Sequence, residues 1–264
     1  MSTHSQKKKP AVVLTLGGGA NRGVSHLGFL QFFEEHEVPI ESITGVSIGS
    51  IVATMYLNGV PLDAIKRAFV EDISFPPLFT AVRAILPSLN PLRILGVVDL
   101  IPLMSHLVEK YNLKPQPGLR MTAYDVLRLE SVVFEGLDYD LTLALAASCS
   151  VPGLMRPVYV NRDGKRRLLV DGGVHHPHPG SPGDISKGRG KGTTTIVSKL
   201  IGGSLVDTVY PNGPHEHVVS VSNDVDDFFG RLSESEVARR ASLGYSQTKA
   251  ALTVSPKGVV RPRS

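Results

Sequence analysis

AVVLTLGGGANRGVSHLGFLQFFEEHEVPIESITGVSIGSIVATMYLN, residues 11–58, holds two short apolar runs, each ending on a glycine-rich turn and each followed by a helix-length segment. Residues 11–16 are too few for a helix and β-branched enough for a buried strand, which stops at Gly17, Gly18 and Gly19. Residues 26–37 read as an amphipathic helix, 40–45 as a second strand and 48–58 as a second helix. A β-α-β-α order with a right-handed crossover makes the strands parallel neighbours and puts both following loops at one edge of the sheet. The glycine loop through Arg22 and Gly23 then faces Ser47, the centre of Gly45-Val46-Ser47-Ile48-Gly49.

A chain of 264 residues with 42% hydrophobic and 20% charged side chains can bury one substantial core. Its single cysteine, Cys149, excludes an internal disulfide framework and fits a reducing, cytoplasmic setting. No stretch has the length of a membrane-spanning helix, and MSTHSQKKKP (residues 1–10) reads as a basic tail without the apolar core of a signal peptide. Lys7 to Lys9, the Lys187, Arg189 and Lys191 group, and Arg261 with Arg263 read as solvated charge runs. No aromatic-interleaved basic motif accompanies them, so no nucleic-acid partner is expected.

A serine hydroxyl attacks a carbonyl only when its proton is removed and the oxyanion is held. In Gly-x-Ser-x-Gly the glycines allow a tight strand-to-helix turn that pushes the hydroxyl outward, at a helix start that favours negative charge. Composition alone would give such a pentapeptide roughly 0.2 times in this chain, so the flanking strand, helix and glycine loop carry the argument. As a nucleotide cradle the loop fails: a phosphate loop needs Gly-Lys-Ser/Thr at its end, and a dinucleotide fingerprint needs glycine where Arg22 stands. As an oxyanion hole it fits, because Gly17 to Gly19 expose backbone N–H groups without intervening side chains. Arg22 is read as an anchor or an added positive charge.

Two sets of residues compete for the base. His175, His176 and His178, or His215 and His217, would supply the histidine of a Ser-His-Asp esterase of α/β-hydrolase type. That fold, however, takes its oxyanion loop and nucleophile from strands further apart in the chain. The His tracts lie among Pro and Gly without a carboxylate framework, so no metal site is expected. The other candidate is Asp171, ending the apolar run Leu168-Leu169-Val170 before Gly172 and Gly173. If that strand joins the same sheet in the same sense, Asp171 receives the Ser47 proton directly, provided partial desolvation raises its pKa.

Together GGGANRG, GVSIG and DGG, in that order, resemble the patatin-like phospholipase family, and ALAASCSVPGLMRPVYV (residues 144–160) is similar to the family's approach to its acid strand. The match spans roughly residues 11–175. The resemblance implies a three-layer α/β/α fold with a mostly parallel sheet and a Ser-Asp dyad hydrolysing acyl esters of phospholipids or related lipids. It makes Ser47 the nucleophile, Asp171 the general base, and Gly17, Gly18 and Gly19 the oxyanion hole supported by Arg22. Gly23, Gly45, Gly49, Gly172 and Gly173 support the motifs, and no cofactor is required.

After Gly173 the chain departs from the family pattern, and residues 175–195 read as an irregular insertion rich in Gly, Pro and basic residues. Residues 196–206 and 218–221 are the remaining late strands. The domain is expected over residues 11–222, followed by a helix at 233–252 with a break near Gly244, then a tail. The apolar segment 75–105, with Arg83 and Arg93, reads as a cap that could rest on a membrane surface and admit acyl chains to Ser47. A catalytically idle lipid-binding module is the reading from outside the enzymes.

Overall fold

The computed structural model describes residues 9–73, 98–162, 164–174, 194–201, 216–222 and 230–263. Strand β1 (Val12–Leu16), helix α1 (Ser25–Glu35), strand β2 (Ile40–Val46) and helix α2 (Ile48–Leu57) follow the predicted order, with a 3-10 turn at Ala20–Val24 between the glycine loop and α1. Helices α3 (Leu62–Glu71) and α4 (Ile101–Lys110), strands β3 (Leu119–Asp125) and β4 (Glu130–Phe134), helix α5 (Leu141–Cys149), and strands β5 (Val158–Arg162) and β6 (Lys165–Asp171) come next. Strands β7 (Thr194–Ile201) and β8 (Glu216–Ser222), helix α6 (Glu234–Ala251), and strands β9 (Leu252–Val254) and β10 (Val260–Pro262) complete the described elements.

A mixed, mostly parallel central sheet in the order β5-β6-β3-β2-β1-β7-β8 is flanked by helices, with β4 also on β3. Strands β3, β2, β1, β7 and β8 are mutually parallel, which buries both faces and selects the runs VVLTL and ITGV. All five residues of β1 are buried. Around it Phe29, Phe32 and Phe33 of α1, Ile51 and Met55 of α2 and Met121 of β3 form the core.

The register on β3 decides the site. Strand β4 takes one edge of residues 121–125, so β2 and β6 must share the other. Along that edge Val46 partners Thr122 and Asp171 partners Ala123. Strand β2 arrives from below and β6 from above, and their ends meet on consecutive residues. This corrects the expectation that the Asp171 strand runs in the same sense as the others: β6 is antiparallel to β3. A parallel strand would bring its acid to the edge from the same side as Ser47, whereas here the two strand ends point at each other.

Two further expectations are corrected. Helix α6 continues through Gly244 without a break. The glycine serves a close crossing instead: a Cβ on it would stand 2.0 Å from the Ser25 carbonyl oxygen, and one on Gly28 would stand 1.9 Å from that of Ala241. Nor is the C-terminus a plain tail, because β9 and β10 pair as an antiparallel hairpin. The expected cap lies outside the described residues from 75 to 97, and its last part, from Ile101, belongs to α4. Of the irregular segment, residues 175–193 also lie outside them, as do 1–8 of the basic tail and 202–206 of the expected late strand.

Candidate active site

Ser47 stands between β2 and α2 with φ 54° and ψ −127°, a backbone conformation that residues other than glycine rarely adopt. Close packing enforces it. A Cβ on Gly45 would lie 2.5 Å from Ser50 Cα, and one on Gly49 would lie 2.2 Å from the Leu16 carbonyl oxygen. The turn is therefore locked against the end of β1, where the glycine loop begins. Gly18 passes so near that its Cβ would be 3.3 Å from Ser47 Cβ.

Asp171 is buried at 5% exposure. Its carboxyl lies beside the Ser47 side chain and accepts the Gly173 N–H at 2.7 Å. Burial raises its pKa to about 6, against the opposing pull of the Ser47 side chain and the Gly173 N–H. An acid so placed is ionised at neutral pH yet readily accepts a proton. Gly172 is needed where the chain leaves β6, since a Cβ there would meet Thr122 Oγ1 at 2.6 Å.

The segment 144–160 supplies struts to both residues. Ser47 N–H donates to Ser148 Oγ at 3.1 Å, and Ser148 Oγ also bonds Ser50 Oγ at 2.8 Å. Asp171 N–H donates to the Ser150 carbonyl at 2.8 Å. The end of α5 thus holds the backbone of both members of the pair. Cys149, between those serines in the chain, is buried, and burial, with the Asp171 charge adding to it, pushes its thiol pKa up.

The glycine loop is held by a residue the sequence reading did not single out. His26 is fully buried, with Nε2 2.8 Å from the Gly17 carbonyl oxygen and Nδ1 2.9 Å from Ser198 Oγ. A carbonyl can only accept, so Nε2 carries the proton toward Gly17. Because the Gly17 carbonyl and the Gly18 N–H belong to one trans peptide, fixing the first toward His26 turns the second to the opposite side. The Ser198 backbone carbonyl accepts the Gly17 N–H at 3.1 Å. Among the described residues neither Gly18 nor Gly19 N–H has an acceptor. The signal was available as a histidine three residues past Arg-Gly on a buried helix face.

Arg22 is buried at 3% exposure, and its Nε points at the Gly19 carbonyl at 3.5 Å, so it contacts the glycine loop. Gly23 gives Ile48 room, a Cβ there coming within 2.5 Å of Ile48 Cγ1. Of the competing histidines, His217 pairs with Ile196, level with Leu14 and Ile43. That is three strands across the sheet and four residues below Ser47, well out of hydrogen-bond reach. His175, His176, His178 and His215 lie outside the described residues.

Residues 14–181 match the family model described as patatin-like phospholipase. The chain belongs to the patatin-like phospholipase family. This patatin-like chain is 32% identical over 174 residues to an uncharacterized NTE family protein of Mycobacterium tuberculosis, covering 66% of this chain and 45% of that one. A lysophospholipase of Saccharomyces cerevisiae is 52% identical over 67 residues, 24% of this chain and 4% of that protein. Among solved structures, VipD from Legionella pneumophila superposes with a TM-score of 0.49 at 14% identity, over 94% of this chain and 71% of that one. The chain spans about half the length of the mycobacterial relative.

Proposed function

We propose that this protein is a serine hydrolase that cleaves acyl ester bonds of lipids, of the phospholipase A or lysophospholipase type, through Ser47 and Asp171. The observation that carries the reading is the meeting of β2 and β6 on consecutive residues of β3, which sets the Ser47 side chain on a desolvated carboxyl. Ser47 Oγ attacks the ester carbonyl as its proton passes to Asp171. The oxyanion forms against the Gly18 and Gly19 N–H groups, and the protonated Asp171 returns its proton to the departing alcohol. Water then attacks the acyl carbonyl as it gives a proton to Asp171, and Asp171 passes that proton to Ser47 Oγ as the acid departs. No step needs a metal or an organic cofactor.

Membership of the patatin-like family and the lysophospholipase relative support a lipid ester as substrate. We place the protein in the cytoplasm, in peripheral contact with a membrane, with Cys149 kept as a free thiol. The test is purified protein against phospholipids, lysophospholipids and short-chain esters, alongside Ser47→Ala and Asp171→Asn. Both variants should lose turnover by about a thousandfold or more. Full activity in either would overturn the assignment.

A further inference from the structure

The edge of the sheet that carries Ser47 does not end there. Thr122 is level with Val46, but β3 runs three residues further, about 10 Å at the usual rise, before turning through Val126, Leu127, Arg128 and Leu129 into β4. The β5–β6 hairpin climbs beside it: Val126 N–H donates to the Leu168 carbonyl at 3.0 Å, and Leu168 opposes Tyr159. Four antiparallel strands in the order β4-β3-β6-β5 thus form a rim above the site.

The composition of its tip is opposite to that of an ordinary exposed turn, which is built from Gly, Pro, Asn, Asp and Ser. Leu127 and Leu129 are 60% and 73% exposed, Val126 is 37% and Tyr159 57% exposed. Leu129 holds φ 55°, where Asn or Gly would be less strained. The turn therefore keeps a leucine in water and in an unfavourable backbone conformation, which its own folding does not require.

The surrounding charge selects what would cover it. The sequence of residues 126–130 and 159–167 carries five basic residues and two acidic ones, and one of the acids, Glu130, is bonded to Arg167. Asp125, at the base of the turn, is buried under Arg128 and Arg167. Arg166 lies over the Tyr159 ring at 4.8 Å. A stable protein interface draws on about 20–30 residues a side, whereas a few apolar tips ringed by arginines and an interfacial tyrosine match shallow insertion among anionic headgroups.

We propose that the Val126 to Leu129 turn, with Tyr159, Lys165 and Arg166 beside it, is the surface by which this protein docks on an anionic lipid bilayer. The docking rests on the lipid-hydrolase reading for its choice of partner, and it presents the Ser47 edge of the sheet to the membrane.

The test is co-sedimentation of the full chain with vesicles of phosphatidylcholine, with and without phosphatidylglycerol. The unaltered chain should bind the mixed vesicles more tightly. Leu127→Ser with Leu129→Ser should lower that partitioning roughly tenfold or more. Arg166→Gln should lower it about fivefold on mixed vesicles and leave binding to pure phosphatidylcholine unchanged. Thermal midpoints within a few degrees of the unaltered chain show that the variants are folded. Ser47→Ala should bind as the unaltered chain does, so a protein without ester hydrolysis would refute the proposed function and leave docking standing. Undiminished binding by the leucine variant, or no binding by the unaltered chain, overturns the docking proposal. A dimer in light scattering that the leucine variant converts to monomer also overturns it, in favour of a second copy on this face.

Discussion

Replacing Asp171 by Asn should make the protein inactive and, above pH 6, more stable. The carboxyl is buried and its pKa is raised to about 6, whereas an unfolded chain holds an aspartate near 3.9. The fold therefore favours the protonated acid. Its contribution to stability is fully present below about pH 4 and is lost as pH rises through 6. The gap corresponds to on the order of 3 kcal/mol of destabilisation once the group is ionised. Asparagine keeps the oxygen that accepts the Gly173 N–H and removes the charge. The variant should match the unaltered protein at pH 4 and exceed it at pH 8 by up to about 3 kcal/mol, or about 6–12 °C in thermal midpoint for a domain of this size. Paired melts across that range read the difference directly, because every other titrating group is common to both proteins. A difference independent of pH, or a variant less stable at pH 8, would refute the account of Asp171 as a desolvated acid. If Asp171 is the base, as proposed, hydrolysis of a soluble ester should rise with pH about a midpoint near 6 in the unaltered protein, since that carboxyl must be ionised.

His26→Phe should lower kcat by roughly tenfold to a hundredfold with KM little changed, because it frees the Gly17 carbonyl and with it the aim of the Gly18 N–H. His26→Gln, which can still donate, should recover part of the loss, and a raised KM at constant kcat would count against a positioning role. Gly28→Ala and Gly244→Ala should each destabilise by about 3 kcal/mol or more in urea titration, far beyond the ~1 kcal/mol that alanine gains in a helix, because the added carbon meets a carbonyl across the α1–α6 crossing. Equal or greater stability in either would show that the helices can part without cost. Ser47→Gly should be inactive yet about 1 kcal/mol more stable than Ser47→Ala, since only glycine relieves the positive φ.

The local order from β1 to α2 was legible because each element carries its own signature: β-branched runs, glycine stops, and a helix-length apolar face after each. The Ser47 edge followed from handedness alone. What residues 165–171 could not reveal was direction, since an apolar run ending in an acid reads the same for a strand entering from below or above. Direction is fixed by the β5–β6 hairpin, whose turn at Arg162 to Lys165 is local, and by β4 occupying the other edge of β3, which is not. The misread at Gly244 has the same origin. Glycine in a helix signals a break only when nothing needs its missing side chain, and the Ser25 carbonyl that needs it lies more than two hundred residues away in the chain. His26 was hidden for the opposite reason: a histidine on a buried helix face is ordinary, and its contacts with Gly17, just after β1, and Ser198 of β7 are not visible in the local sequence.

The end of α5 shows how the strain at Ser47 is sustained. Ser148 Oγ takes the Ser47 N–H and bonds Ser50 Oγ, so it clamps both sides of a turn whose middle residue resists its own backbone angles. Ser148→Ala leaves a part-buried N–H and a buried hydroxyl with lost partners, a cost of about 1–3 kcal/mol for the buried hydroxyl and less for the N–H. Part of that cost should depend on the strain. In a Ser47→Gly background the turn is no longer forced, and it can shift to find another partner for the N–H. Ser148→Ala should therefore cost at least 1 kcal/mol less beside Gly at position 47 than beside Ser, in a double-mutant cycle by urea titration, where independent sites add within about 0.3–0.5 kcal/mol. Additivity within that limit would mean that Ser148 is an ordinary buried hydrogen bond and that the turn is held by its glycine contacts alone. Coupling would identify the fourth sequence landmark, residues 144–160, as the element that keeps Ser47 in a conformation the chain would otherwise abandon.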